Sequence, residues 1–148
     1  MGKKFNTPPT DLRMALSMSG GFTLFRKPTD AERRLLVALI DKVDNLNLPT
    51  NWLELLEVQQ MNDSGMGSLR LFFHFPPIVK QTFGRQASEL MFEDADGVKV
   101  IASLNLDSSN IPMELDLWKT DFSPLIRIPV CLSKNFERCS SGVRSPVR

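Results

Sequence analysis

The sequence predicts an α+β domain in which one N-terminal amphipathic helix packs on an antiparallel meander of about five strands. Three observations carry this. A capping box at Thr29–Glu32 opens an apolar stripe of helical period. Beyond Pro49 the apolar residues alternate in short runs, the period of half-buried strands. Asp96-Gly97 stands between two such runs, as in a type I′ hairpin whose two central residues need positive φ. With 148 residues, 42% of them hydrophobic and 24% charged, the chain is long enough for one domain with a real core.

Residues 1–21 hold Pro8-Pro9 and Ser19-Gly20-Gly21 and read as a flexible N-terminal arm rather than as a helix over Asp11–Met18. The domain proper is expected over 22–129. Its helix starts at Thr29, buries Leu35, Leu36, Leu39, Ile40 and Val43, turns Glu32, Arg33, Asp41 and Lys42 to water, and ends near Asp44-Asn45. Leu53–Met61 gives a helical turn and then a strand. Asn62–Gly67 is a turn, and Leu69–Phe75 is a strand stopped by Pro76-Pro77, which cannot continue a ladder. Residues 78–86 read as a loop. Ala87–Glu93 and Val98–Asp107 form the hairpin, and Ser108–Pro112 turns the chain into a last strand, Met113–Lys119. Asp121–Pro129 then makes a clasp whose Phe122, Leu125 and Ile128 return to the core, with Arg127 placed to pair with Asp121 or the acidic residues nearby. The tail, residues 130–148, is rich in Ser and Arg and is expected to be disordered.

Several chemistries are disfavoured at once. No apolar run approaches the ~20 residues that span a bilayer, and the basic N-terminus leads into no apolar stretch, so no membrane contact is expected and the cytoplasm is the default compartment. With two cysteines and one histidine, no recognisable zinc site can be assembled. Cys131 and Cys139 could form a disulfide, but free thiols are the expectation in such a compartment. The net charge of +1 hides an asymmetry: residues 35–129 hold seven basic and thirteen acidic side chains, and the basic excess lies at the two ends. An acidic middle repels phosphate, and the basic ends lack interleaved aromatics, so no nucleic-acid partner is expected.

Motif matches are equally bland. Asp94-Ala95-Asp96-Gly97 lacks the spacing of a calcium loop, and Ser64–Ser68 leads into a strand where a phosphate loop would open a helix. His74 lies inside an aromatic strand with no nucleophile signature around it, which argues against a hydrolase triad. No cofactor is implied.

Strand alternation sorts the remaining residues into two faces. Val98, Val100, Ala102, Leu104 and Leu106 share one face with Leu115, Leu117, Leu69, Leu71, Phe73 and Phe75, and this face meets the helix. The opposite face carries Ile101, Ser103, Asn105, Glu114, Asp116 and Trp118, with His74 and Met91 beside them. Glu114, Asp116, Trp118, Asn105 and Asp121 are therefore the candidate partner-binding residues. Carboxylates around an outward aromatic suit a basic protein partner. The alternative is a small carboxylate- or metal-dependent enzyme that uses Glu114 and Asp116, which stand roughly 6–7 Å apart along the strand by its rise.

The blocks Asp96-Gly97-Val98, Ser103–Asp107, Glu114–Lys119 and Asp121–Arg127, with the Gly65–Ser68 turn and Arg26–Glu32, resemble an uncharacterised family of short bacterial proteins. Its members end in a block like ELD-(I/L)-WK-x-DFSPL-x-R-x-P. The resemblance spans about residues 22–129 and brings no established activity. In scale and acidity such proteins look similar to immunity proteins of bacterial toxin systems, an analogy of size and charge. The expected function is accordingly that of a non-enzymatic, immunity-like, cytoplasmic binding protein; its oligomeric state is not legible in the sequence.

Overall fold

The computed structural model describes residues 12–16, 22–73 and 81–132. Its elements are β1 (Leu12–Leu16), β2 (Phe22–Arg26), α1 (Asp30–Ile40), α2 (Trp52–Leu55), β3 (Glu57–Gln60), β4 (Leu69–Phe72), β5 (Phe83–Glu93), β6 (Lys99–Asp107) and β7 (Pro112–Lys119). The 22–129 segment thus holds six strands rather than five, and β1 adds a seventh. Two strands precede α1, so the helix is not the N-terminal element. β2 pairs on one side with its neighbour in the chain, β1, from Leu16↔Phe22 to Leu12↔Arg26, and on the other with β3, some thirty residues further on, through Phe25↔Gln59 and Arg26↔Val58. His74, Phe75, Cys139 and the tail beyond Leu132 lie outside the described residues.

All pairings are antiparallel, in the order β1-β2-β3-β4-β7-β6-β5. The sheet is not one meander. A first run, β1 to β4, and a second, β5 to β7, join where β4 pairs with β7 through Leu69↔Leu115 and Arg70↔Glu114. The last strand in the chain is therefore an inner strand of the sheet, flanked by β4 and β6. The segment expected as a loop over 78–86 already belongs to the β5 edge strand from Phe83, with register shifts at Phe83/Arg85 and Gln86/Ser88. Such bulges bend and twist an edge.

Gly84 sits in the first of these shifts. A Cβ there would lie 2.5 Å from the Asp107 carbonyl oxygen, a backbone atom that can move only with β6. Gly84→Ala is expected to cost about 1–3 kcal/mol in a urea melt. An unchanged midpoint would mean that the edge strand swings away freely.

α1 forms as its sequence directs. Thr29 caps it, accepting from the Glu32 N–H at 3.1 Å, while Glu32 Oε1 accepts from the Thr29 N–H at 2.8 Å. The same carboxylate receives both arms of the Arg26 guanidinium at 2.8 and 3.0 Å, which ties β2 to the helix start. The helix stops at Ile40, earlier than the apolar stripe suggests. The next N–H groups, of Lys42 and Val43, bond three residues back to Leu39 and Ile40, tightening the last turn. Lys42 Nζ then donates to the Glu89 carbonyl and Ser88 Oγ to the Leu39 carbonyl, fastening this end to β5.

Leu35, Leu36 and Leu39 are fully buried against one sheet face made of Val58, Leu69, Leu71, Val100, Ala102, Leu104, Leu106, Leu115 and Leu117. The face sorting of Leu69, Leu71, Phe73, Val100 to Leu106, Leu115 and Leu117 thus holds, and Ile128 joins the same core. Phe122 does not return to it; its ring is 65% exposed. No helix among the described residues is long and apolar enough to cross a membrane. Cys131 is disulfide-bonded rather than a free thiol.

Candidate functional site

The outward sheet face is built in cross-strand rows, because residues opposite one another in neighbouring strands share a face. One row is Met91–Ile101–Trp118, across β5, β6 and β7. The next is Glu89–Ser103–Asp116, and beyond it Asn105 stands opposite Glu114, which in turn faces Arg70 on β4. Met91 is 56% exposed and Trp118 42%, while Ser103 between the acids is buried. A large apolar row, exposed at both ends and half-buried at Ile101, therefore lies beside a row with a carboxylate at each end.

The five residues singled out from the sequence do share this region, but they are not equivalent. Asn105 Nδ2 donates to Glu114 Oε1 at 2.9 Å, which engages both side chains within the sheet. Asp116 is exposed and accepts from Ser68 Oγ at 3.2 Å. Asp121 lies on the turn after β7, where its carboxylate accepts from Ser123 Oγ at 2.6 Å and the Ser123 N–H at 3.0 Å. The Ser123 hydroxyl and N–H hold Asp121 below the usual carboxylate range. Arg127 pairs with neither Asp121 nor the acidic face; its backbone N–H donates to Asp94. Glu114 and Asp116 have separate hydrogen-bond partners, Asn105 and Ser68. Among the described residues no group of three or more His, Cys, Asp and Glu could hold a metal.

The strongest polar constellation lies at the other side of β7. Lys119 follows Leu115 and Leu117 on the inward face, so its chain enters the core and its ammonium must be neutralised there. Lys119 Nζ meets Asp94 Oδ2 and Asp96 Oδ2, both at 2.8 Å, and the Pro124 carbonyl at 3.1 Å. The side chains of Lys119 and Asp94 are 1% and 0% exposed. Asp94 also accepts from the N–H groups of Ile126 (2.7 Å), Arg127 (3.0 Å) and Ala95 (2.7 Å). One ion pair thus fastens the β5–β6 turn, the end of β7 and the clasp.

A second knot lies beside it. Asp63 accepts from the N–H groups of Met66, Gly67 and Ser68, closing the turn before β4. Ser68 Oγ accepts from the Leu117 N–H at 2.9 Å, and the Leu125 N–H donates to the Gly65 carbonyl at 2.9 Å. Gly65 and Gly67 have φ of +85° and +100°, where a side chain is strained.

The turn at 63–68, the β7 strand and the clasp, far apart in sequence, therefore meet in one corner. A family model described as a domain of unknown function, DUF6984, matches residues 25–129. The chain belongs to the DUF6984 family. No curated protein and no solved structure matches it. In this DUF6984 chain the motifs that carried the resemblance are largely explained by folding: Gly65–Ser68, Asp94–Gly97, Lys119 and Ser123–Arg127 form the corner just described. Lys119 and Asp94 do not stand out as a pair in the sequence, since twenty-five residues separate them. Their signal was the alternation itself, which puts a lysine on the core side of β7. Phe122, expected in the core, lies in solvent instead: its φ of +65° turns the ring outward onto Trp118.

A separate groove of about 720 Å³ runs between α1 and residues 130–132. Arg33 and Arg34 line it together with Asp30 and Asp41, so its charges balance and select no ligand class.

Proposed function

We propose that this chain is a non-enzymatic binding protein that engages a basic protein partner through the outward face of β5, β6 and β7. The observation that carries the reading is the Met91–Ile101–Trp118 row, exposed at Met91 and Trp118 and half-buried at Ile101, beside the Glu89 and Asp116 carboxylates. Exposed aromatic anchors ringed by charge are the usual composition of an interface centre and its rim. An acidic rim steers a cationic partner and rejects acidic ones. The immunity-like version of this reading has the face cover a basic surface of a toxin. The cytoplasmic setting expected from the sequence is at odds with Cys131, which is disulfide-bonded where a reducing compartment keeps cysteines as thiols.

Affinity capture compares the wild-type chain with the double variant Trp118→Ala, Glu89→Lys. Both side chains point away from the core, so the variant is expected to melt within about 2 °C of wild type. It should lose the basic proteins that the wild type retains. Retention of every captured protein at unchanged yield would exclude this face as the interface.

A further inference from the structure

Resting on that reading, we propose that Trp118 and Phe122 form a two-walled aromatic corner that receives an arginine side chain of the basic partner. The ring centroids are 6.0 Å apart and the planes are inclined at 56°, so the rings diverge rather than stack. The outer surfaces of both stay open, with Trp118 42% and Phe122 65% exposed. Asp116 precedes Trp118 by two residues on the same face of β7, and Asp121 precedes Phe122 directly. Two aromatic faces bordered by two carboxylates suit a guanidinium, which stacks flat on a ring while its N–H groups reach carboxylates. A purely apolar group would cover those carboxylates without pairing them. A lysine ammonium is more strongly hydrated and has no plane to stack.

The backbone supplies the independent observation. Phe122 is held at φ +65°, a conformation rare for a bulky residue and natural for glycine. The Phe122 N–H donates to the Lys119 carbonyl at 2.8 Å, and Asp121 binds Ser123, so the turn is fixed on both sides of the ring. That strain is not recovered by core burial, since the ring lies mostly in solvent. Backbone strain of this kind is concentrated at ligand clamps and other functional sites. The nearest buried cation does not compete: Lys119 is enclosed by Asp94, Asp96 and the Pro124 carbonyl on the opposite face.

The test uses the full chain and three synthetic peptides, an Arg-Gly repeat and the same repeat with lysine or citrulline in place of arginine. Binding is read from the Trp118 indole N–H resonance in NMR, distinguished from that of Trp52 with a Trp52→Phe variant. The arginine peptide is expected to shift the Trp118 signal saturably, at least fivefold tighter than the lysine peptide, with no saturation by the citrulline one. Phe122→Gly should weaken arginine binding at least tenfold while its Tm stays within 2 °C of wild type or rises by a few degrees. Phe122→Leu, which keeps apolar bulk without a π face, should lose the arginine preference, and Phe122→Tyr should keep it. Equal binding of the arginine and citrulline peptides overturns the proposal, even where affinity capture shows that the wider face binds a protein. A fall of more than 5 °C in the Tm of Phe122→Gly overturns it as well, because the ring would then be a folding element. Self-association in light scattering that Phe122→Gly abolishes would assign the corner to a second copy, and overturns it too.

Discussion

Asp94→Ala is expected to lower the melting temperature at pH 7 by on the order of 10 °C. The carboxylate accepts from Lys119 Nζ and from three backbone N–H groups, those of Ala95, Ile126 and Arg127. Its loss leaves a buried ammonium with Asp96 as its remaining carboxylate partner, and leaves the two clasp N–H groups without their acceptor. Breaking a buried pair from one side is far more costly than replacing both partners by apolar groups. Acidity gives the same pair a signature. Burial works to raise the Asp94 carboxyl, but the Ile126 N–H, the Lys119 ammonium and the Arg127 and Ala95 N–H groups outweigh it and hold it down, from 3.8 to about 2. A folded pKa below the unfolded one adds stability that is fully present above about pH 4 and is lost as the pH falls through about 2. The gap in Tm between wild type and Asp94→Ala should therefore be widest near neutrality and narrow below pH 4. Circular-dichroism melts across pH 2–7 measure this, and a gap under 3 °C at pH 7 would show that the corner holds without its ion pair.

Gly67→Ala is expected to destabilise the domain by about 2–4 kcal/mol in urea titration, combining backbone strain with overpacking. Its φ is +100°, and a Cβ would lie 3.1 Å from Leu117 Cδ1 and 3.2 Å from Leu125 Cδ2. Those two leucines come from β7 and the clasp, so the methyl group would push apart the surfaces that the Asp63 and Ser68 hydrogen bonds draw together. Gly97→Ala is the control. It carries similar strain, with φ of +82°, but a Cβ there meets nothing within 4 Å. It should cost only about 1–2 kcal/mol. Equal losses in the two variants would mean that Gly67 serves its backbone conformation alone and that the corner is not tightly packed.

Both variants leave the outward face untouched, which separates folding from binding within a single strand. Leu115, Leu117 and Lys119 of β7 face the core and the ion pair, while Asp116 and Trp118 face solvent. The family signature is consequently two things interleaved at period two. Its core-facing half closes the fold, and its outward half supplies the surface proposed for contact.

The elements that could be read directly were those whose cause is local. Thr29 and Glu32 lie within one helical turn and cap each other, so the start of α1 was legible. Asp96-Gly97 marks the hairpin but not its turn type: of the two only Gly97 has positive φ, +82°, and its N–H closes onto the Asp94 carbonyl around Ala95 and Asp96 rather than in a type I′ turn. The alternation in β6 and β7 sorts their faces without reference to any pairing. Glu114, Asp116 and Trp118 were placed outward by that same alternation. What only the tertiary structure decided are features that depend on partners distant in the chain. The pairing of β7 with β4, the pairing of β2 with β3, and the meeting of Lys119 with Asp94 each join residues twenty or more positions apart. Phe122 belongs with them: apolar composition points such a ring inward, whereas a single backbone dihedral, fixed by the turn after β7, points it out. Local propensity and periodicity fix which way a side chain faces along its own strand; which strand lies alongside, and which buried charge meets which, follow from long-range packing that no short window of sequence contains.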